Sequence, residues 1–324
     1  MTRPAEGGGR RPAAPAWFDA ALAQAPERSF VVVEGTEIET LAWGPRGCPG
    51  VLLLHGFSAH ADWWSFLAPM LASGRRVVAF SFSGMGRSGW RDAYSLALHA
   101  REAIAVAEAG GLFDSGVAPI LIGHSFGSFV TRIVARQRGS QLGGIALIDG
   151  ALAADEHDDE YDGVPLRGHR HRIYPTLEQA VARFRYDPPQ TAENDYITDH
   201  LARTSLGLTA AGPDADGWSW RFDPDLRAKM LALPTADLLA PVACRLALLF
   251  GERSQLMTAA RLALIRRFTP IETPWIVIPD AGHHVMVDQP LALVAALRCL
   301  LESWQPAAAF NPPAPNPVTA GAHA

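Results

Sequence analysis

The residues of this chain best suited to chemistry lie at positions 123–127, which read Gly-His-Ser-Phe-Gly. An apolar run at 118–122 precedes them, and a helical pattern runs from Ser128 to a stop at Gly139. A strand that turns sharply into a helix leaves the intervening serine side chain free, and the flanking glycines let a substrate approach the backbone. A serine hydroxyl is a poor nucleophile without a neighbouring base. The pattern therefore predicts that Ser125 is a nucleophile and that a base lies elsewhere in the chain.

A histidine near the C-terminus is the candidate base. Residues 275–279 have the pattern of a buried strand, residues 280–284 read Asp-Ala-Gly-His-His, and a helix is predicted over 290–304. A histidine just past a late strand can lie over the serine and take its proton. We predict that His283 is the base because it directly follows the loop glycine, and that His284 is a packing or loop residue.

A third motif could stabilise the negative charge that develops during acyl transfer. The apolar residues 51–54 predict a strand, and His-Gly-Phe follows at 55–57. Acyl transfer needs two N–H donors aimed at the developing oxyanion. We predict that these are the backbone N–H groups of Phe57 and Phe126. Gly56 would let the first loop turn tightly beneath the substrate.

Together with Ser-Gly-Met-Gly-Arg-Ser at 83–88, these motifs resemble those of the α/β-hydrolase superfamily, and the likeness covers roughly residues 28–304. The resemblance implies a mostly parallel sheet of about eight strands, a Ser-His-acid triad and no cofactor. It does not imply a substrate, because this fold carries many chemistries.

The acid is where the chain departs from the family pattern. The family usually has Gly-x-x-Asp after the strand predicted here at 246–250, but residues 251–254 read Gly-Glu-Arg-Ser. Some members, including certain haloalkane dehalogenases, place the acid at the end of the preceding core strand, which here is 144–148 and leads into Asp149. We predict that Asp149 holds the imidazole in one tautomer. Glu252 is the alternative, and the absence of any acid is a third possibility.

The elements that position these residues alternate between strand and helix from Val51 onward, which predicts a doubly wound sheet. The alternation stops after Asp149 and resumes at Arg245, and the similar family carries a cap at this point. The predicted regions are an α/β-hydrolase core at 16–150 and 241–305, an inserted, mainly helical cap at 151–240, and Pro/Ala/Gly-rich disordered ends at 1–15 and 306–324.

Aromatic and apolar side chains of the predicted cap and of nearby core loops would decide what binds. Such walls suit a ligand with an acyl chain or a ring. The candidate pocket residues are Trp63, Met85, Trp218, Trp220 and Met286. The alternative is that the Trp-Ser-Trp-Arg-Phe run at 218–222 is an extended segment that packs the cap onto the core.

Two other patterns point to chemistry that we do not expect. Residues 84–89 satisfy Gly-x-Gly-x-x-Gly after a predicted strand at 76–80, but no helix opens at the third glycine, as a dinucleotide site requires. His55, His60 and Asp62 loosely resemble a metal cluster, but no second set has ligand spacing. We therefore expect neither a metal nor a cofactor.

Composition bounds the partners and the compartment. The net charge of −5 disfavours a nucleic-acid surface. Cys48, Cys244 and Cys299 give no disulfide framework and suit a reducing compartment. The N-terminus lacks the apolar segment of a secretory signal, and no run of about 18 apolar residues predicts a membrane span. The expectation is a cytoplasmic protein that acts on a small ester-like molecule without a nucleic-acid or membrane partner; the oligomeric state is left open.

The expected function is a serine hydrolase that cleaves a carboxylic ester through an acyl-serine intermediate. Serine at 125 disfavours the dehalogenase and epoxide-hydrolase branches, which use an aspartate nucleophile. Thioester, lactone and carbon–carbon bond hydrolysis remain alternatives within the same fold. Ser254, at the usual position of the acid, also leaves open a ligand-binding protein of this fold without turnover.

Overall fold

The structure is a computed structural model that describes residues 11–150, 172–212, 215–231 and 240–304. The strands are β1 (Glu27–Val33), β2 (Thr36–Trp43), β3 (Gly50–Leu54), β4 (Arg76–Phe80), β5 (Ile120–His124), β6 (Gly144–Ile148), β7 (Leu206–Gly212), β8 (Ala215–Trp220), β9 (Leu246–Gly251) and β10 (Trp275–Ile278). The α-helices are α1 (Ala16–Leu22), α2 (Ala68–Leu71), α3 (Leu96–Ala109), α4 (Phe126–Arg138), α5 (Leu177–Val181), α6 (Asp195–Thr204), α7 (Leu226–Lys229), α8 (Ala259–Phe268), α9 (Val285–Asp288) and α10 (Pro290–Trp304).

Eight of these strands form one sheet in the order β1-β2-β4-β3-β5-β6-β9-β10. The strands from β4 to β10 pair in parallel, and the pairs β1–β2 and β2–β4 are antiparallel. The predicted fold, a mostly parallel sheet of about eight strands with helices between them, is confirmed. The carboxyl ends of β3, β5, β6 and β9 lie at one edge, where the loops that follow them carry the candidate site residues.

The core lies on both faces of the sheet, because side chains of one strand point alternately to opposite sides. On β3, Leu53 belongs to one apolar cluster and Leu52 to the other. Helices α1, α2 and α10 cover the first face and α3, α4 and α8 the second, through Phe18, Leu71, Leu297, Val106, Val130 and Ile265. Burial on both faces explains the continuous apolar runs in the sequence.

The last strand differs from its prediction. Residues 275–279 read as a buried strand, but Val277 is 48% exposed and only Ile278 of β10 is buried. β10 forms the edge of the sheet and pairs only with β9 among the described residues. An apolar run does not distinguish a central strand from an edge strand.

The segment between β6 and β9 is described at 172–212 and 215–231, and part of it is not helical. It contains α5, α6 and α7, together with the antiparallel hairpin β7–β8, which the sequence analysis did not predict. Helix α6 buries Ile197 and Leu201 in the first core cluster. The boundaries of a cap at 151–240 stay a prediction, since 151–171 and 232–239 lie outside the described residues.

The ends of the chain lie largely outside the described residues, at 1–10 and 305–324. Within the predicted disordered N-terminal segment, Ala14 packs against the first core cluster. None of the helices in the described part of the chain is both long and apolar enough to cross a membrane.

Candidate active site

Ser125 occupies the turn between β5 and α4 with a backbone conformation that few non-glycine residues adopt. Its φ is +52° and its ψ is −119°, and its N–H donates to the carbonyl of Ile148 at 2.9 Å. Glycine is needed on both sides because the backbones approach closely: a Cβ at Gly123 would lie 2.5 Å from the Gly127 carbonyl oxygen, and one at Gly127 would lie 2.6 Å from that of Leu54. Such strain persists only where the surroundings hold it, and it is common at functional sites.

The structure brings His283 to this serine. His283 Nε2 lies 3.0 Å from Ser125 Oγ, across 158 residues of sequence. The imidazole is nearly buried, with 4% of the residue exposed. This distance is within the reach that proton transfer from a hydroxyl to a general base requires.

Asp149 lies on the other side of the imidazole. Its Oδ1 accepts a hydrogen bond from His283 Nδ1 at 2.8 Å, and its Oδ2 accepts from the N–H of Gly251 at 2.9 Å. Asp149 is 1% exposed. A carboxylate is an acceptor only, so Nδ1 carries the proton and Nε2 presents its lone pair to Ser125.

Ser254 also contacts this carboxylate, which the sequence analysis missed. Its Oγ donates to Asp149 Oδ1 at 2.6 Å. The residue at the family's usual acid position therefore binds the carboxylate that comes from the preceding core strand. In the sequence, this contact was indicated by a small hydroxyl residue at the usual acid position together with an aspartate at the end of β6.

Glu252, the alternative acid, points elsewhere. Its Oε2 accepts from the backbone N–H of Asp280 at 3.1 Å on the exposed side of the loop. The described residues show no hydrogen bond between Glu252 and His283.

The two residues predicted to hold an oxyanion lie next to each other. A Cβ on Gly56 would lie 3.3 Å from Ser125 Cβ, so the loop after β3 passes directly beside the serine. The ring of Phe57 meets that of Phe126 edge-on, with centroids 5.4 Å apart. Phe126 is the first residue of α4, where backbone N–H groups lack partners within the helix and the helix dipole favours negative charge.

The loop after β3 is held by His55. Its Nδ1 donates to the Gly56 carbonyl at 2.7 Å, and its Nε2 accepts from the N–H of Phe82 at 3.1 Å. Burial lowers the pKa of His55 to about 3, so it is neutral at physiological pH. His60, the second member of the apparent metal pattern, bonds to Ser205 Oγ through Nε2 at 2.8 Å, and its Nδ1 lies 3.7 Å from Asp62 Oδ2.

The loop that carries His283 is fixed by residues of the inserted segment. Gln190 accepts from the N–H of His284 at 2.9 Å and donates to Asp288 at 2.8 Å. Asp288 in turn accepts from the N–H of Gly282 at 2.7 Å. His284 is buried and contacts Trp63 with ring centroids 5.5 Å apart.

The structure distributes the candidate pocket residues over three places. Trp63 lies beside His284, and Met286 is buried in the first core cluster. Met85 is buried and pairs with the backbone of Phe222. Trp218 and Trp220 of β8 pack in a separate small cluster with Tyr174, Ala180 and Leu206. A single pocket wall formed by all five residues stays a prediction.

The glycine loop at 84–89 is a turn rather than a helix start. The N–H of Gly84 donates to the Gly89 carbonyl at 2.9 Å, and the next helix, α3, begins only at Leu96. A dinucleotide site needs the helix to open at the third glycine.

Comparisons with known proteins agree with this fold. A profile of the alpha/beta hydrolase family matches residues 51–297. Because this match covers more than half of the chain, the chain belongs to the alpha/beta hydrolase family. It is thus a hydrolase of the α/β fold.

Several of the curated proteins that this chain resembles are named as esterases or lipases. The chain is 24% identical to an esterase of Mycobacterium tuberculosis over 84% of its own length and 88% of the relative's. It is 24% identical to the pimeloyl-[acyl-carrier protein] methyl ester esterase of Klebsiella pneumoniae, over 77% of this chain and 92% of that protein. It is 32% identical to a lipase of Mycobacterium tuberculosis, but spans only 44% of that relative's length.

Solved structures share the fold. The thioesterase domain from the curacin biosynthetic pathway matches with a TM-score of 0.69 and 24% identity, over 86% of this chain and 99% of the domain. The crystal structure of the Mycobacterium tuberculosis esterase matches with a TM-score of 0.65 and 20% identity, over 89% and 97% of the two chains.

Proposed function

We propose that this protein hydrolyses a carboxylic ester through an acyl-serine intermediate. The observation that carries the proposal is the continuous series of hydrogen bonds from Ser125 Oγ through His283 to Asp149, with distances of 3.0 and 2.8 Å. The three side chains come from three different loops at one edge of the sheet and have the geometry of a nucleophile, a general base and an orienting acid.

In the first half of the reaction, Ser125 Oγ attacks the carbonyl carbon of the substrate. His283 Nε2 takes the serine proton as the new carbon–oxygen bond forms. The carbonyl oxygen becomes an oxyanion, which the backbone N–H groups of Phe57 and Phe126 stabilise. The intermediate then collapses, the bond to the leaving oxygen breaks, and His283 gives its proton to the leaving alcohol.

In the second half, water replaces the alcohol. His283 takes a proton from the water as its oxygen attacks the acyl carbon, and the proton passes to Ser125 Oγ when the acid leaves. Asp149 stays ionised throughout. It keeps the Nδ1 proton in place and stabilises the imidazolium at both stages.

Relatives favour an ester substrate. Two of the curated proteins that align with most of this chain are named esterases. Thioesters are the second candidate, because the matching thioesterase domain shows that this fold accommodates thioester chemistry. The substrate class for this chain is a small molecule with an acyl group.

We further propose that the segment between β6 and β9 covers the site as a cap. The guanidinium of Arg227, at the start of α7, lies 5.6 Å from the centroid of the Phe57 ring. Phe222 pairs with Met85 of the glycine loop at 84–89. The first contact puts an inserted residue against the loop that would hold the oxyanion, and the second puts another against the glycine loop.

The test is reaction with a fluorophosphonate, followed by peptide mass spectrometry. We expect modification of the peptide containing Ser125 in the wild type and none in Ser125→Ala. Ser303→Ala, which removes an exposed hydroxyl on α10, is the matched control and should label normally. A folded wild type that does not label, and that hydrolyses neither p-nitrophenyl esters nor acyl thioesters, would favour a binding protein of this fold.

A further inference from the structure

Three histidines are buried together beneath the candidate serine. His124 precedes Ser125, and His283 and His284 lie on the loop after β10. One ring nitrogen from each lies within 4.8 Å of one from each of the others. The ring centroids are 4.9 Å apart for His124 and His283, and 4.9 Å apart for His283 and His284.

Hydrogen bonds fix the tautomer of two of these rings. His124 Nε2 lies 3.0 Å from the carbonyl oxygen of His283, and His284 Nε2 lies 3.3 Å from that of Pro188. A carbonyl oxygen only accepts, so each Nε2 carries the proton and each Nδ1 has a bare lone pair. Neither Nδ1 has a hydrogen-bond partner among the described residues, and both atoms are buried.

The third ring has the same arrangement with its nitrogens exchanged. His283 Nδ1 donates to Asp149, so the lone pair is on Nε2, which faces Ser125. Each of the three imidazoles therefore donates its N–H to a carbonyl or carboxylate and keeps the other nitrogen free of a proton. Histidines that bind metals in proteins are held in this way.

The spacing of the rings is somewhat wider than one bound ion requires. Two ligand nitrogens on a tetrahedral Zn²⁺ lie about 3.4 Å apart, whereas one nitrogen from each of the three rings lies within 4.8 Å of the others, so the rings must move inward to share one ion.

We propose that His124, His283 and His284 bind one Zn²⁺ ion, which inhibits the enzyme. Three neutral imidazoles suit Zn²⁺, whereas Mg²⁺ and Ca²⁺ prefer oxygen ligands. The ion takes the lone pair of His283 Nε2, and Ser125 Oγ or a water molecule takes the fourth position. The ion forms no part of the hydrolytic reaction.

Inhibition follows from this occupation and rests on the proposed function. With its Nε2 bound to the metal, His283 can accept no proton from Ser125. Zinc binding itself does not depend on turnover, so a binding measurement and an activity measurement test separate statements.

The binding test uses untagged, full-length Ser125→Ala protein titrated with Zn²⁺ in a calorimeter. We expect one ion per chain. His284→Gln in the same background keeps a donor for the Pro188 carbonyl but lacks Nδ1, and His124→Gln does the same for the His283 carbonyl. Each should weaken binding at least tenfold. Thermal melting shows whether each variant is folded, and the zinc affinity of either folded variant is enough to test the proposed site.

Other possible zinc ligands require matched controls. His169 and His171 lie outside the described residues, and the three cysteines are free thiols. The double variant His169→Ala/His171→Ala and a variant with all three cysteines changed to serine should bind zinc as tightly as the parent. If these controls lose the ion and His284→Gln keeps it, the proposed site is wrong.

The activity test follows ester hydrolysis with Zn²⁺ or Mg²⁺, each rate relative to the same variant's rate without metal. We expect Zn²⁺ to inhibit the wild type at least tenfold, EDTA to restore the rate, and Mg²⁺ to have no effect. His284→Gln should need at least tenfold more Zn²⁺. Equal sensitivity of wild type and His284→Gln would refute the site. A protein that binds zinc through these histidines but hydrolyses no ester would refute the proposed function alone.

Discussion

Asp149→Asn is the substitution that most directly tests how the candidate site works. Three donors meet at this carboxylate: His283 Nδ1–H and the Ser254 hydroxyl at Oδ1, and the Gly251 N–H at Oδ2. Asparagine replaces one of the two acceptor oxygens with an NH₂ group, which only donates. The change in volume is negligible, so the effect reports on charge and hydrogen bonding.

Neither orientation of the new amide reproduces the native bonds. With its oxygen toward His283, the NH₂ group faces the Gly251 N–H, two donors meet, and the negative charge that stabilises the imidazolium is gone. With its NH₂ group toward His283, the ring must expose a bare Nδ1 and carry its proton on Nε2. That proton would point at Ser125, and the base would be lost.

The expected loss is large. Replacing the orienting aspartate of a serine protease with asparagine lowers kcat by about 10⁴-fold, which corresponds to about 5.4 kcal/mol at the transition state. We expect a loss of similar size here, measured as kcat for hydrolysis of a p-nitrophenyl ester at neutral pH. Glu252→Gln is the matched control because it makes the same chemical change, carboxylate to amide, at the alternative acid. It should retain kcat within about twofold.

The result that would refute this reasoning is specific. If Asp149→Asn keeps kcat within about tenfold of the wild type while Glu252→Gln loses most activity, Asp149 is not the orienting acid. Thermal melting must show both variants folded, since Asp149 also accepts from Gly251 and so links two strands.

Three further predictions concern the surroundings of the site. Ser254→Ala removes one donor to a buried carboxylate and should lower the free energy of unfolding by about 1.5–3 kcal/mol in urea; no change would contradict the bond. Gly56→Ala places a Cβ 3.2 Å from His124 Nδ1 and 3.3 Å from Ser125 Cβ, so we expect kcat to fall by about 10- to 100-fold, and an unchanged kcat would argue against oxyanion binding by this loop. Burial lowers the pKa of His55 to about 3 and that of His200 to about 4. In the unfolded chain these histidines bind protons near pH 6.5, so above that pH they do not reduce the free energy of unfolding. As the pH drops from 6.5 toward 4, the free energy of unfolding should fall by up to about 1.4 kcal/mol per pH unit for each histidine. Urea unfolding of His200→Gln should show a shallower fall, and an equal slope would contradict burial as the cause.

The sequence predicted those parts of the fold that depend on local patterns. The turn at Ser125 follows from a glycine on each side of a serine between an apolar run and a helical pattern. The strands β4 and β6 match their predicted bounds because buried parallel strands are apolar throughout.

The remainder depends on which distant elements become neighbours. Ser254 appeared as a missing acid because no local pattern shows that β6 lies beside β9 and brings Asp149 within 2.6 Å of its hydroxyl. The hairpin β7–β8 was missed because its strands are rich in glycine and alanine, which have low strand propensity. Trp218 and Trp220 lie two residues apart on β8, a spacing typical of a strand, but the sequence analysis named them as pocket candidates.

The side chain of Gln190 has a consequence for protein engineering. It belongs to the inserted segment, yet it accepts from the N–H of His284 and holds Asp288, which binds the N–H of Gly282. A chimaera that exchanges this segment for that of a relative would therefore change the support of the loop that carries His283. A transplanted segment needs an amide at the position of Gln190 if that loop is to keep these hydrogen bonds.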